Sequence, residues 1–193
     1  MAGRGGAADL DGSALVVVDV QAGFDDPWWG PRNNPDCDAR IDALVSAFSD
    51  RGLPVVLVRH DSRLEDSPLH PDRPGNRLKP YLDERAAALV VSKTVNSAFH
   101  GEPDLDDWLR GESLTGIVVA GITTNHCCET TARVGGNLGY DVWFALDATH
   151  TFDRTGPDGS VLTADELARA TATNLHGEFA TVVSTQDVLD ALG

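Results

Sequence analysis

Three side chains of complementary chemistry are spread along this chain of 193 residues: Asp19, Lys93 and Cys127. A thiol can attack a carbonyl carbon, a carboxylate can take the thiol proton, and an ammonium can stabilise the anion that forms. Taken singly, each also has a quiet structural use: a turn-forming aspartate, a solvated lysine, a small core cysteine. The surroundings of Cys127 are more specific. The segment GITTNHCCETTAR sets it just past a Gly- and Thr-rich stretch where a strand gives way to a helix. Backbone N–H groups at a helix start carry partial positive charge, which favours a thiolate and can receive an oxyanion. Cys128 is the competing thiol. Consecutive side chains on a helix diverge by about 100°, so only one can face a cleft, and Cys128 is expected to pack inward.

An ammonium about 4 Å from the sulfur contributes roughly 4 kcal/mol at an effective dielectric of 20, which favours the thiolate. Asp19 opposes part of this by like-charge repulsion. A modest net lowering of the thiol pKa is therefore expected, with the three groups titrating together.

For these residues to meet, the chain must bring distant segments to one place. Ala14–Val20 and Leu53–His60 are β-branched apolar runs that read as buried strands. Ala87–Ser92, Gly116–Ala120, Tyr140–Leu146 and Phe179–Ser184 read as four more. Helical patterns separate them. One opens at Pro35–Asp36 and stops at Gly52, and others cover Leu105–Arg110, His126–Leu138, Thr163–Leu175 and Val188–Leu192. Thr163 with Glu166 three residues on is a capping box, and Asp104 is a cap. Strands alternating with helices predict a three-layer α/β/α sandwich around a six-stranded, mainly parallel sheet, Rossmann-like in plan. In such sheets ligands bind beyond the carboxyl ends of the strands, where Asp19, Lys93 and Cys127 all fall.

Composition narrows the function classes. A formal charge of −15 repels phosphate backbones and anionic headgroups, so neither nucleic acid nor membrane is an expected partner. The length and the 41% apolar content fit one domain over residues 1–193, with 1–12 as a flexible N-terminus. Residues 1–13 hold no continuous apolar run, so no secretory signal is expected. Three cysteines without disulfide-like spacing fit a reducing cytoplasm. The segment 61–80 holds four prolines and reads as a long functional loop.

Three separated motifs make the chain resemble the isochorismatase-like cysteine hydrolases, the superfamily of nicotinamidases, N-carbamoylsarcosine amidases, ureidoacrylate hydrolases and biuret hydrolases. LVVVDVQAGF resembles the first-strand motif, with Asp19, Gln21 and Phe24; VVSKTVNSAF resembles the lysine motif, with Lys93, Ser97, Ala98 and Phe99. GITTNHCCETTAR resembles the nucleophile motif, with Gly121, Thr124, Asn125, Cys127, Thr131 and Ala132. The resemblance covers about Leu15 to Val188. It implies an Asp19–Lys93–Cys127 catalytic set, and it selects Cys127 over Cys128. It also implies a cis peptide between Ile122 and Thr123, and an oxyanion hole from the N–H groups of Thr123 and Cys127. Homodimers or homotetramers are implied as well.

The implied activity is hydrolysis of a C–N bond in a small amide, ureide or carbamoyl compound through a thioester, with no cofactor. Replacing Cys127 by Ala or Asp19 by Asn is expected to abolish turnover and leave the fold intact. Phe24, Trp28, Trp29 and Phe99 are candidates to line the substrate pocket, and for Trp28 and Trp29 loop packing or a subunit contact is the alternative. Three alternatives stand beside this reading: a metal-assisted nicotinamidase, an isochorismatase-type ether hydrolase, and a non-catalytic scaffold. Metal-dependent nicotinamidases carry Asp-x-His after the second strand; here His60 and Ser62 fall near those places. His60 and His70 without the carboxylate make a poor metal site, so none is expected.

Overall fold

The run Ser13–Val18, SALVVV, is the first strand, β1, and all six of its residues are buried. Its side chains alternate between two apolar layers, as strand geometry requires. Leu15 and Val17 join one layer; Ala14, Val16 and Val18 join the other. A strand buried on both faces needs helices on both, and the rest of the chain supplies them.

In the computed structural model, which describes residues 10–84 and 86–193, α1 spans Cys37–Asp50 and is followed by β2, Val55–His60. β3 is Leu89–Lys93, α2 is Leu105–Gly111, and β4 is Gly116–Ile122. A π-helical turn over Thr124–Cys128 then leads into α3, Glu129–Leu138. β5 is Asp141–His150, and a small hairpin follows from β6, Arg154–Thr155, and β7, Val161–Leu162. α4 (Ala164–Leu175), β8 (Thr181–Val183) and α5 (Thr185–Leu192) complete the order. Asp104 caps α2, and the Thr163–Glu166 capping box starts α4.

Six strands form one parallel sheet in the order β3-β2-β1-β4-β5-β8. Ile41, Leu44 and Phe48 of α1 and Val188 and Leu192 of α5 cover one face. Leu105 and Leu109 of α2, Ala132 of α3 and Leu175 of α4 cover the other. The chain runs outward from β1 to β3 and then returns to place β4 on the opposite side of β1. The order therefore reverses between β1 and β4, which opens a crevice at their carboxyl ends.

Several boundaries differ from the sequence reading. Leu10 is only 3% exposed and belongs to the core, so the segment from residue 10 is anchored; residues 1–9 lie outside those described. β5 runs on to His150, because its last residues still pair with Gly121 and Ile122. The β6–β7 hairpin gives almost no apolar signal, since its two-residue strands are exposed. The start of the helix after β4 is a π turn, where one extra residue widens the spiral.

Candidate active site

Asp19 follows directly on β1 with φ 52, a left-handed conformation that aspartate adopts more readily than most residues. Its N–H donates to the Val58 carbonyl of β2 at 2.9 Å, which locks the turn to the sheet. On its other side the backbone of β4 lies close. A Cβ on Gly121, which has φ 131, would stand 2.1 Å from the Val18 carbonyl oxygen, so only glycine lets the two strand ends approach.

Lys93 is the last residue of β3, two strands away from β1, and its side chain crosses the end of β2 to reach Asp19. Nζ lies 2.6 Å from Asp19 Oδ2, and neither side chain has exposed surface. Nζ also lies 3.3 Å from His60 Nδ1, at the end of β2. Ligand atoms of Asp19, His60 and Cys127 all lie within 4.8 Å of one another. Asp19, Lys93 and Cys127 therefore surround one point beyond the strand ends. Asp19 Oδ1 is buried and has no hydrogen-bond partner among the described residues.

Cys127 lies in the π turn, 8% exposed, while Cys128 is fully buried in the same apolar layer. The Ile122–Thr123 peptide is cis. His126 and Cys128 N–H groups both return to the Thr123 carbonyl, at 3.3 and 3.2 Å. Thr124 Oγ1 donates to Thr149 Oγ1 at 2.8 Å, and Thr151 Oγ1 donates to Asn125 Oδ1 at 2.5 Å. These bonds tie the turn to β5. Asn96 Oδ1 is 3.9 Å from the sulfur.

The electrostatics correct one expectation. Burial, and after it the Asp19 carboxylate, push the Cys127 thiol well above its ordinary range. Lys93 pulls the other way and is outweighed. Its charge is already engaged by Asp19, and burial disfavours a thiolate more than one paired ammonium favours it. Burial also works against the charge on Lys93, but Asp19 and then Cys127 hold it above its ordinary range. Burial, followed by the neighbouring Lys93, holds His60 below its ordinary value. Burial thus favours a neutral imidazole at His60 and a neutral thiol at Cys127, beside a Lys93 held in its charged form.

The other expected residues are placed less uniformly. Phe24 is buried and packs on Trp29 and Phe152 at ring distances of 4.8 and 6.3 Å. Phe99 is buried in the same apolar layer as Cys127 and stacks on Tyr140 at 5.8 Å. Trp28 is 62% exposed and meets Trp29 edge-on. Trp29 donates its indole N–H to the Gly23 carbonyl at 2.9 Å. The long loop is anchored: Asn76 Nδ2 bonds His60 O, Asp61 Oδ1 and Leu69 O at 3.2, 3.0 and 2.9 Å.

His60 and His70 do not converge. His70 accepts from the Asp72 N–H at 3.3 Å in the loop, while His60 faces Lys93. Among the described residues the one compact donor group is Asp19, His60 and Cys127. Its oxygen, nitrogen and sulfur would suit a zinc ion by type. However, Nζ of Lys93 already lies against two of the three donors, so this seat fits the chain's own cation and not a metal.

Sequence reasoning gave His60 only a possible metal role, and Gln21 none beyond the motif. Gln21 is fully buried. Its Nε2 donates to His60 O and Asn76 O at 3.0 and 2.8 Å, and its Oε1 accepts from His60 N at 2.9 Å. A polar Gln straight after a buried strand was the available signal.

Fold and site together define a three-layer α/β/α protein with a cysteine at the switch point of a parallel sheet. The sequence profile of the Isochorismatase domain matches residues 13–187, and the chain belongs to the isochorismatase family of hydrolases. It is 34% identical to the isochorismatase family protein YrdC of Bacillus subtilis, over 92% of this chain and 94% of that one. It is 34% identical to the ureidoacrylate amidohydrolase RutB of Methylobacterium radiotolerans, covering 97% and 82%. A crystal structure of an isochorismatase-family hydrolase from Chromobacterium violaceum superposes with a TM-score of 0.89 at 39% identity, covering 95% and 94%. No helix among the described residues is long and apolar enough to cross a membrane.

Proposed function

We propose that this protein is a cysteine hydrolase that cleaves a C–N bond in a small amide, ureide or carbamoyl compound through a thioester on Cys127. One observation carries the reading: the Cys127 thiol lies within 4.8 Å of the Asp19 carboxylate, which has a buried oxygen without a hydrogen-bond partner among the described residues. A neutral thiol beside an available base is the resting state that general-base attack requires. The amidohydrolase name of the RutB relative supports the substrate class.

As the sulfur bonds to the carbonyl carbon, the Asp19 carboxylate takes the thiol proton and the carbonyl pair moves onto oxygen. The N–H groups of Thr123 and Cys127 receive that oxyanion. The C–N bond then breaks, Asp19 returns its proton to the leaving nitrogen, and ammonia or an amine departs. Water adds to the thioester while Asp19 accepts one of its protons. The C–S bond breaks, the sulfur recovers the proton, and an acid is released. Lys93 stays charged throughout and balances the negative charge as it moves between Asp19, sulfur and oxygen.

The test is a panel of amides, ureides and carbamoyl compounds assayed for ammonia or amine release, with intact-mass detection of an acyl adduct. Adduct on the peptide carrying Cys127, and no turnover by Cys127→Ala, are expected. Full turnover by Cys127→Ala would remove the proposal.

A further inference from the structure

Resting on that functional reading, we propose that His60 is a positioning residue: with Asp19 and Cys127 it forms a three-sided seat that fixes the Lys93 ammonium through the lone pair of Nδ1.

The sheet order makes this arrangement unavoidable. β2 lies between β1 and β3, and His60 pairs in register with Lys93. Any lysine at the end of β3 that reaches Asp19 must pass the residue that ends β2. An ammonium has three N–H bonds and no lone pair. One meets Asp19 Oδ2 at 2.6 Å and one meets His60 Nδ1 at 3.3 Å, and the Cys127 sulfur lies within 4.8 Å of both of those acceptor groups. Two of the three protons are thus directed, which restrains rotation of Nζ.

The imidazole is set up to accept. With the ring proton on Nε2, Nδ1 faces Nζ at 3.3 Å with its lone pair free to accept. The main chain of His60 is clamped by Gln21 on both its N–H and C=O, and by Asn76 on its C=O. The charged or titratable groups facing the ring are Lys93, Asp19, Asp61 and Cys127. A protonated ring would lose its acceptor and set a second cation 3.3 Å from the first. Loss of the ring would leave one ammonium proton without an acceptor in a buried site, and Nζ would be free to turn toward the unpartnered Asp19 Oδ1 as well. The base would then be less available to the thiol.

The experiment compares wild type with His60→Leu, which removes the acceptor, and His60→Asn, whose Oδ1 occupies nearly the position of Nδ1. Lys93→Met serves as the control for the catalytic set. Two readouts are followed: kcat and KM on the amide found by the panel, and the pH profile of Cys127 alkylation by iodoacetamide, read by peptide mass. His60→Leu is expected to lower kcat about 10- to 100-fold, with KM changed little, and to shift the alkylation profile. His60→Asn is expected to retain kcat within about fivefold of wild type, and its activity should lose less at acid pH.

Wild-type kcat and alkylation in His60→Leu would overturn the inference. A folded His60→Asn as impaired as Lys93→Met would do the same, and it remains decisive if His60→Leu does not fold. If Lys93→Met itself keeps full activity, the functional reading falls first, which separates the two failures.

Discussion

Lys93 Nζ stands 2.6 Å from Asp19 Oδ2, with both side chains entirely removed from solvent. Deleting one member of a buried pair leaves an uncompensated charge and costs about 3–5 kcal/mol, whereas replacing both by apolar groups is often near neutral. Asp19→Asn should therefore lose stability as well as turnover, contrary to what the sequence alone leads one to expect. Asp19→Leu combined with Lys93→Met should recover most of that stability while staying inactive. Cys127→Ala should be inactive with little change in Tm. Urea unfolding of the four proteins checks this, and equal stability for Asp19→Asn and wild type would sink it.

Gly121 sets the distance between β1 and β4. A methyl group there would meet the Val18 carbonyl oxygen at 2.1 Å, which is backbone and cannot move aside cheaply, and φ 131 would strain any L side chain. Gly121→Ala should cost at least about 2–3 kcal/mol and displace Asp19 from the thiol. Wild-type denaturation midpoint and kcat together in this variant would refute it. Gly139→Ala is a fair comparison, since φ 95 strains it too while open space surrounds its Cβ position.

Alkaline stability follows from the buried thiols. Burial, with Asp38 next, pushes the Cys37 thiol up from 9.0 to about 12. Above about pH 9 the unfolded chain gives up this proton while the folded chain holds it, so the folded state loses stability as pH rises. Tm should fall between about pH 9 and 11, and the fall should be shallower in Cys37→Ala. Parallel pH profiles for the two proteins would contradict the assignment.

The parallel sheet was legible because its strands are continuous β-branched runs, and such runs have few other uses in a chain of this size. Asp19, Lys93 and Cys127 were legible because each falls just past one of those runs. His60 was visible as a residue but not as a member of the site. Its part depends on β2 lying between β1 and β3, and strand order is not written in local periodicity. The direction of the thiol shift was misread for a related reason. Distances between charges can be guessed from a motif, but burial comes from packing of α3 and α4 over the turn. Trp28 is 62% exposed, and an aromatic in a loop near a strand end can face solvent as readily as a pocket.

His150 ends β5 fully buried, with both ring nitrogens lacking hydrogen-bond partners among the described residues, and its ring stands edge-on to Phe152 at 5.3 Å. Burial first, then Arg32 and Lys79, lower its pKa from 6.5 to about 3. The sign follows from proton counts: below pH 6.5 the unfolded chain binds a proton that the folded chain refuses. Stability contributed by the neutral ring is complete above that pH and is lost as pH falls toward 3, by an amount on the order of 4–5 kcal/mol at the limit. His150→Phe keeps a ring against Phe152 and removes the titration. Its acid-unfolding midpoint should lie clearly below that of wild type, by circular dichroism from pH 7 to 3, while stability at pH 8 changes far less. An unchanged acid midpoint would mean that His150 finds a proton-binding partner in the folded protein, and that the pH sensitivity resides elsewhere.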